Sequence, residues 1–208
     1  MTARERILLE SRLWRTEKEI LDKDYFKHLT RGAKPSILWI ESFGNVASVM
    51  ELTNTEPGEV VVYRNPGGQC KHDDPSFMAA LENFVDSPDP AYVVVCGHSQ
   101  CQGIRNTIAG KENGPHTSRW MEDVHELYEQ HAAELASLTT RQQEWKLSEL
   151  NVRRQLLNLS TIDVIERAWS QGRSLMLLGW YLDLHKGEIH EVCSMASRHL
   201  LTEVPARR

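Results

Sequence analysis

His98 and Cys101 have the donor types and the spacing of a metal site: an imidazole and a thiol separated only by Ser99 and Gln100. Placed on one turn, both can reach a single Zn²⁺ ion, which accepts N and S donors. The turn follows a short apolar run, Tyr92 to Cys96. A Val-rich run of that length predicts a strand buried on both faces. Gly97 breaks it and lets the backbone turn at the strand's carboxyl end, the edge where open parallel sheets bind ligands. Taken alone, a His-x-x-Cys pair is more often a capped turn with a small buried thiol.

The elements that must position this pair follow from periodicity. Residues 3–31 predict a helical arm, with Ile7, Leu8, Leu13, Trp14, Ile20 and Leu21 at rough helical spacing. Residues 32–35 end it. Strands are predicted at 36–40, 59–63 and 174–184, with 187–192 returning as a hairpin edge. Helices are predicted at 76–85, from 103, over about 120–135 and over 141–159. A further helix is capped by Ser160-Thr161-Ile162-Asp163 and closed by Gly172. Strand, helix, strand connections make the sheet mainly parallel. Three parts follow: an arm (1–35), an α/β domain (36–196) and a polar, basic tail (197–208) expected to be mobile.

Composition narrows the function. The chain has 208 residues, 40% hydrophobic and 25% charged, with a net charge of −5. That charge gives no general case for nucleic acid or an anionic membrane. No apolar run approaches the roughly 20 residues that span a bilayer. The amino terminus lacks the apolar region of a signal peptide, so a cytoplasmic address is expected. In a reducing compartment Cys70, Cys96, Cys101 and Cys193 are expected as thiols or ligands. Cys96 and Cys193 are expected to be core. The other histidines lack ligand spacing and default to surface or helix positions, with His72, near Cys70, the one to watch.

The run Val94-Val95-Cys96-Gly97-His98-Ser99-Gln100-Cys101 resembles the second zinc motif of the β-class carbonic anhydrases. The resemblance extends in register over about residues 10–192. Trp14, Phe26 and Lys34-Pro35 with Leu38-Trp39-Ile40 are similar to that family's arm and first strand. Pro57 to Asn65 is similar to its second strand and Arg-Asn turn. Asn151-Val152, Gln155, Asn158-Leu159, Thr161 and Gly179 to Leu184 are similar to its carboxyl-terminal half. The resemblance implies the β-carbonic anhydrase α/β fold, a mainly parallel sheet of four strands plus an edge strand, flanked by helices. It also implies an arm wrapped on a partner subunit, hence a homodimer or homotetramer. Finally, it implies zinc as cofactor and CO2 or bicarbonate as substrate.

The family's third zinc ligand is a cysteine at the end of the first strand, in a Cys-x-Asp-x-Arg motif. Here that place reads Glu41-Ser42-Phe43-Gly44-Asn45-Val46. Aligned backwards from Val46, Glu41 replaces the cysteine, Phe43 the aspartate and Asn45 the arginine. A shift of one place puts Ser42 at the cysteine instead. Glu41 remains an acceptable zinc donor. Phe43 and Asn45 cannot reproduce the acid–base dyad, and losing such a group costs ~10²–10⁴ in rate. Arg64 is a candidate contact for an anionic substrate.

Three readings stay open. In the first, a zinc lyase holds its metal on Glu41, His98 and Cys101, and hydroxide attacks CO2 or a similar small electrophile. In the second, a metal-free enzyme uses Glu41 as base and Cys101 or Cys70 as nucleophile, activated by His98. The third is a non-catalytic relative kept for assembly or ligand binding.

Overall fold

The computed structural model describes residues 1–31, 34–197 and 200–204. The expected end of the arm at Gly32, the position of His199 and the last residues of the tail lie outside the described residues.

The chain opens with helices α1 (Ala3–Leu21) and α2 (Tyr25–Thr30). A strand and a helix follow, β1 (Ile37–Ser42) and α3 (Val49–Thr53). Strand β2 (Val60–Asn65) runs into a 3₁₀ turn at Pro66–Gly68 and then α4 (Pro75–Val85). Next come β3 (Tyr92–His98), α5 (Gln102–Ile108), α6 (Pro115–Trp120), α7 (Glu122–Gln130) and α8 (Ala132–Ala136). The chain continues through α9 (Thr140–Ser160), α10 (Asp163–Ser170), β4 (Met176–Asp183), β5 (Glu188–Met195) and β6 (Leu201–Glu203). Among the described residues no helix is long and apolar enough to cross a membrane.

One sheet runs in the order β2-β1-β3-β4-β5-β6. The first four strands are mutually parallel, and β5 and β6 add on antiparallel. The expected four parallel strands are therefore present, but with two further strands rather than one. Residues 201–203, placed in the mobile tail by composition, pair with Cys193–Met195. Free backbone donors and acceptors on the outer edge of β5 supply the reason.

The sheet is covered on both faces. Leu38 and Ile40 of β1 join Val93 and Val95 of β3 in a core under α4, α9 and α10. Trp39, Val94, Cys96 and Leu182 face the other way, against Val49 of α3. This is the period-two alternation of a strand buried on both sides. A smaller cluster, including Cys101, Ile104, Met121 and Leu147, locks α5, α7 and α9 together beside the sheet edge.

Three local expectations are corrected. The arm is two helices, because Trp14, Tyr25 and Phe26 stack edge to face and fold α2 back on α1. The helix expected over 120–135 is broken at Met121 and His131, whose ψ values of 6° and 14° interrupt the α geometry. The cap before α10 is Ile162, without a side-chain bond. The Ser160 and Thr161 hydroxyls donate back to the Leu157 and Asn158 carbonyls instead.

Candidate active site

Strand β3 delivers His98 to the carboxyl edge of the sheet, where it is only 2% exposed. Its Nδ1 lies 2.7 Å from the Ser99 carbonyl oxygen. A carbonyl can only accept, so Nδ1 carries the proton and the neutral ring presents a lone pair at Nε2. Nε2 is buried and, among the described residues, has no aligned hydrogen-bond partner. Gln100 then adopts φ = 67°, a left-handed conformation costing about 1 kcal/mol for a residue with a Cβ. Its amide is held by His185 and Arg105. That reversal returns the chain so that Cys101, 5% exposed, sits beside His98.

The two groups act on each other. Burial pushes the His98 pKa down, but the Cys101 sulfur, the Ser99 carbonyl and the Glu41 charge together outweigh it and leave the imidazole above its ordinary value. Burial pushes the Cys101 thiol up, but His98, helped by the Ile104 N–H and the Ser42 hydroxyl, outweighs it and leaves the thiol below its ordinary value. The two groups face a space of about 10 Å³ whose lining includes Ser42, Cys96, Gly97, His98 and Cys101. That is room for one water or one ion. An adjoining pocket of about 220 Å³ shares Ser42 and Gly67 and adds Phe43, Gly103 and Met121. It has room for a small molecule.

Glu41 does not join this pair. In parallel register it is the neighbour of Arg64 on β2 and Cys96 on β3, so its side chain shares their face. There it is fully buried. Oε2 accepts from Trp39 Nε1 at 3.0 Å and from Asn45 Nδ2 at 2.6 Å. Arg64 places a guanidinium nitrogen 2.6 Å from Oε1, an ion pair without hydrogen-bond alignment. The next residue, Ser42, points to the opposite face, and Cys101 Sγ lies 3.7 Å from its Oγ. Period-two alternation alone separates them.

The expected set of Glu41, His98 and Cys101 is corrected accordingly: among the described residues, no three His, Cys, Asp or Glu groups are placed to hold one metal ion. Asn45 is a partner of Glu41 rather than a stand-in for an arginine at the reacting centre. Arg64 is spent on Glu41 and the Ala47 carbonyl, not aimed at the His98 cavity. Phe43 is 58% exposed at the mouth of the larger pocket. Cys70 is buried in the main core with its thiol pushed far up by burial, so it is no nucleophile. His72 is exposed and touches Thr161.

Sequence reasoning also passed over the network that holds the site's floor. Gln69, Asn151 and Gln155 are buried and joined side chain to side chain at 2.8–3.1 Å. Asn151 also donates to the Gly67 carbonyl, and Asn65 clasps the Gln69 backbone from both sides. Gly68, at φ = 64°, lies so close to β1 that a Cβ would sit 3.3 Å from the Glu41 carbonyl carbon. The signal available beforehand was a cluster of amides at positions expected to be helical and turn core.

A mainly parallel α/β sheet thus carries a histidine and a cysteine at the carboxyl edge of β3, the edge where open α/β sheets bind their ligands. A family profile described as carbonic anhydrase matches residues 47–189. A carbonic anhydrase of Pseudomonas aeruginosa is 32% identical over 88% of this chain and 85% of its own. A Coccomyxa β-carbonic anhydrase, solved with acetazolamide, superposes with a TM-score of 0.85 at 27% identity, covering 95% of this chain and 90% of that one. A structure from Sordaria macrospora, described as one of two tetrameric β-carbonic anhydrases, gives 0.87 at 25% identity over 92% and 98%. The chain belongs to the β-class carbonic anhydrase family. The profile match begins just after the segment Glu41–Val46, the segment in which this chain departs from the family's motif.

Whether zinc fits can be read from the donors. His98 Nε2 and the Cys101 sulfur are suitable, but the third place is a neutral serine hydroxyl. Catalytic zinc takes three protein donors drawn from Cys, His, Asp and Glu. These residues do not make that set.

Proposed function

We propose that this chain is a carbonic anhydrase relative that retains the pocket and the assembly of its family without hydrating CO2 at an enzymatic rate. The observation that carries this is the face taken by each residue at the end of β1. Glu41 is consumed by Trp39, Asn45 and Arg64, while Ser42 faces His98 and Cys101. With Ser42 at the ligand position, Gly44 and Val46 fall at the family motif's aspartate and arginine positions. Zinc-hydroxide attack on CO2, the reaction the resemblance implies, would lack both a donor and the acid–base pair. The pocket of about 220 Å³ suits CO2, bicarbonate or a similar small molecule as ligand.

Stopped-flow hydration, with zinc supplied, tests this. The native chain is expected at buffer background, and the Ser42→Cys/Gly44→Asp/Val46→Arg variant above it. Zinc at one per chain, with hydration by the native protein, overturns the proposal.

A second reading rests on the depressed Cys101 thiol. The thiolate would add to a small electrophile while His98 supplies the proton. Turnover of a compound such as cyanate, blocked by thiol alkylation, would favour it. The assembly follows from the arm: Ile7, Leu8, Leu13, Trp14 and Ile20 are all exposed, and α1 buries none of its residues. A second copy, in a homodimer or homotetramer, is the partner proposed for that face. A cytoplasmic address fits the four free thiols.

A further inference from the structure

The cavity between His98 and Cys101 keeps two soft donors and loses one unit of negative charge. Its chemistry therefore changes in kind. Zn²⁺ on one thiolate and one neutral imidazole would leave a net positive charge in a site whose residues are 2–7% exposed. Uncompensated buried charge is strongly destabilising. The nearest carboxylate candidate, Glu41, is neutralised by Arg64 on the opposite face of β1. A monovalent cation on the same pair gives a neutral site. Thiolate donors select Cu(I), and imidazole also suits copper.

Two observations independent of the cysteine point the same way. The His98 Nε2 lone pair is buried, and its ring is fixed by the Nδ1 contact with Ser99, the arrangement by which proteins orient a ligating histidine. The thioether of Met121, fully buried, lines the adjoining pocket rather than the cavity itself, so a soft sulfur lies close by without being counted as a donor. Its Sδ would be 2.9 Å and 2.8 Å from Cβ atoms added at Gly67 and Gly103, so both glycines leave room for it. The cavity of about 10 Å³ holds a single ion.

We propose that the His98–Cys101 pair is a site for Cu(I) and that it discriminates against zinc. Binding takes the Cys101 sulfur as thiolate and changes no oxidation state. This rests on the reading of Ser42 as the residue in the third ligand position.

The test is anaerobic titration of the full chain with Cu(I) against a coloured Cu(I) chelator, and in parallel with Zn²⁺ against a zinc indicator. One Cu(I) per chain is expected, with zinc held at least about 100-fold more weakly than in Ser42→Cys. Cys101→Ser should lose Cu(I) affinity by more than about 100-fold, since changes one shell further out already cost 10–100-fold. Ser42→Cys, a near-isosteric change, should gain zinc at one per chain. Circular dichroism checks that each variant is folded, and His98→Gln repeats the loss from the other donor. Native chain that binds neither ion sinks the copper site but leaves the loss of hydration standing. Native chain that binds zinc stoichiometrically and hydrates CO2 sinks both. Copper retained in folded Cys101→Ser places the ion elsewhere and overturns the assignment.

Discussion

Arg64→Ala is the substitution that weighs the Glu41 cradle against a role for Glu41 at the reacting centre. In the native chain the carboxylate is fully buried, with two hydrogen-bond donors, Trp39 at 3.0 Å and Asn45 at 2.6 Å, and an ion-pair partner, the Arg64 guanidinium, at 2.6 Å. Removing one partner of a buried ion pair costs about 3–5 kcal/mol, most of it from the charge left behind. Two effects reduce this. The Arg64 side chain is 39% exposed, so part of its charge is already screened by water. Trp39 and Asn45 also still donate to the carboxylate, and hydrogen bonds to a charged group are worth about 1.5–3 kcal/mol each. The expected loss is therefore about 2–3 kcal/mol. At 208 residues, 1 kcal/mol moves Tm by about 2–4 °C, so the midpoint should fall by about 4–12 °C in calorimetry. Glu41→Gln added to Arg64→Ala removes the stranded charge and should recover about 1–2 kcal/mol, the coupling expected of groups in contact. Metal content should not change in either variant. A Tm within 1 °C of native, or loss of bound metal on changing Glu41 alone, would refute the reasoning.

Other outcomes follow from the same geometry. Gly68→Ala should cost about 2–3 kcal/mol in urea, combining a left-handed φ with contact against β1, and a midpoint shift near zero would refute that close approach. Gln155→Leu leaves the Cys70 N–H and the Gln69 Oε1 unpaired, at about 1–3 kcal/mol each, measurable by the same unfolding. In chelator-treated protein, His98→Gln removes the group that holds the Cys101 thiol down and leaves burial to push it up. Alkylation by iodoacetamide at neutral pH should then slow, because a smaller fraction of the sulfur is thiolate. The linkage signs differ for the two groups. Cys101, depressed when folded, stabilises above the ordinary thiol pKa of about 8.5 and loses that as pH falls through its folded value. His98, raised when folded, stabilises below about 6.5 and loses that as pH rises through its folded value. Deleting residues 1–31 should reduce the mass measured by sedimentation, because it removes the exposed apolar face of α1.

The fold and half of the site were legible in the amino-acid order. Val93 to Cys96, a Val-rich run, read as a strand covered on both faces, but Gly97 did not end it: the strand pairs through Gly97 to His98, because a glycine in extended geometry keeps its ladder bonds, and the reversal falls at Gln100 instead. The His-x-x-Cys spacing placed both groups on one turn because that spacing is local. The short strand β6 was not legible, since three residues carry too little pattern to outweigh a polar composition and the edge of β5 recruits them. The breaks at Met121 and His131 were hidden for a related reason: apolar spacing of three and four continues across them while the backbone does not.

The identity of the third residue at the cavity belonged to the tertiary structure. Sequence put Glu41 and Ser42 at the end of one strand, and chemistry alone favoured the carboxylate as the donor. Register decided otherwise. Pairing β1 with β2 and β3 sets Glu41 level with Arg64 and Cys96, and a strand sends adjacent side chains to opposite faces. One residue of parity thus turned the carboxylate toward a guanidinium and the hydroxyl toward the thiolate, because only the assembled sheet fixes which face is which.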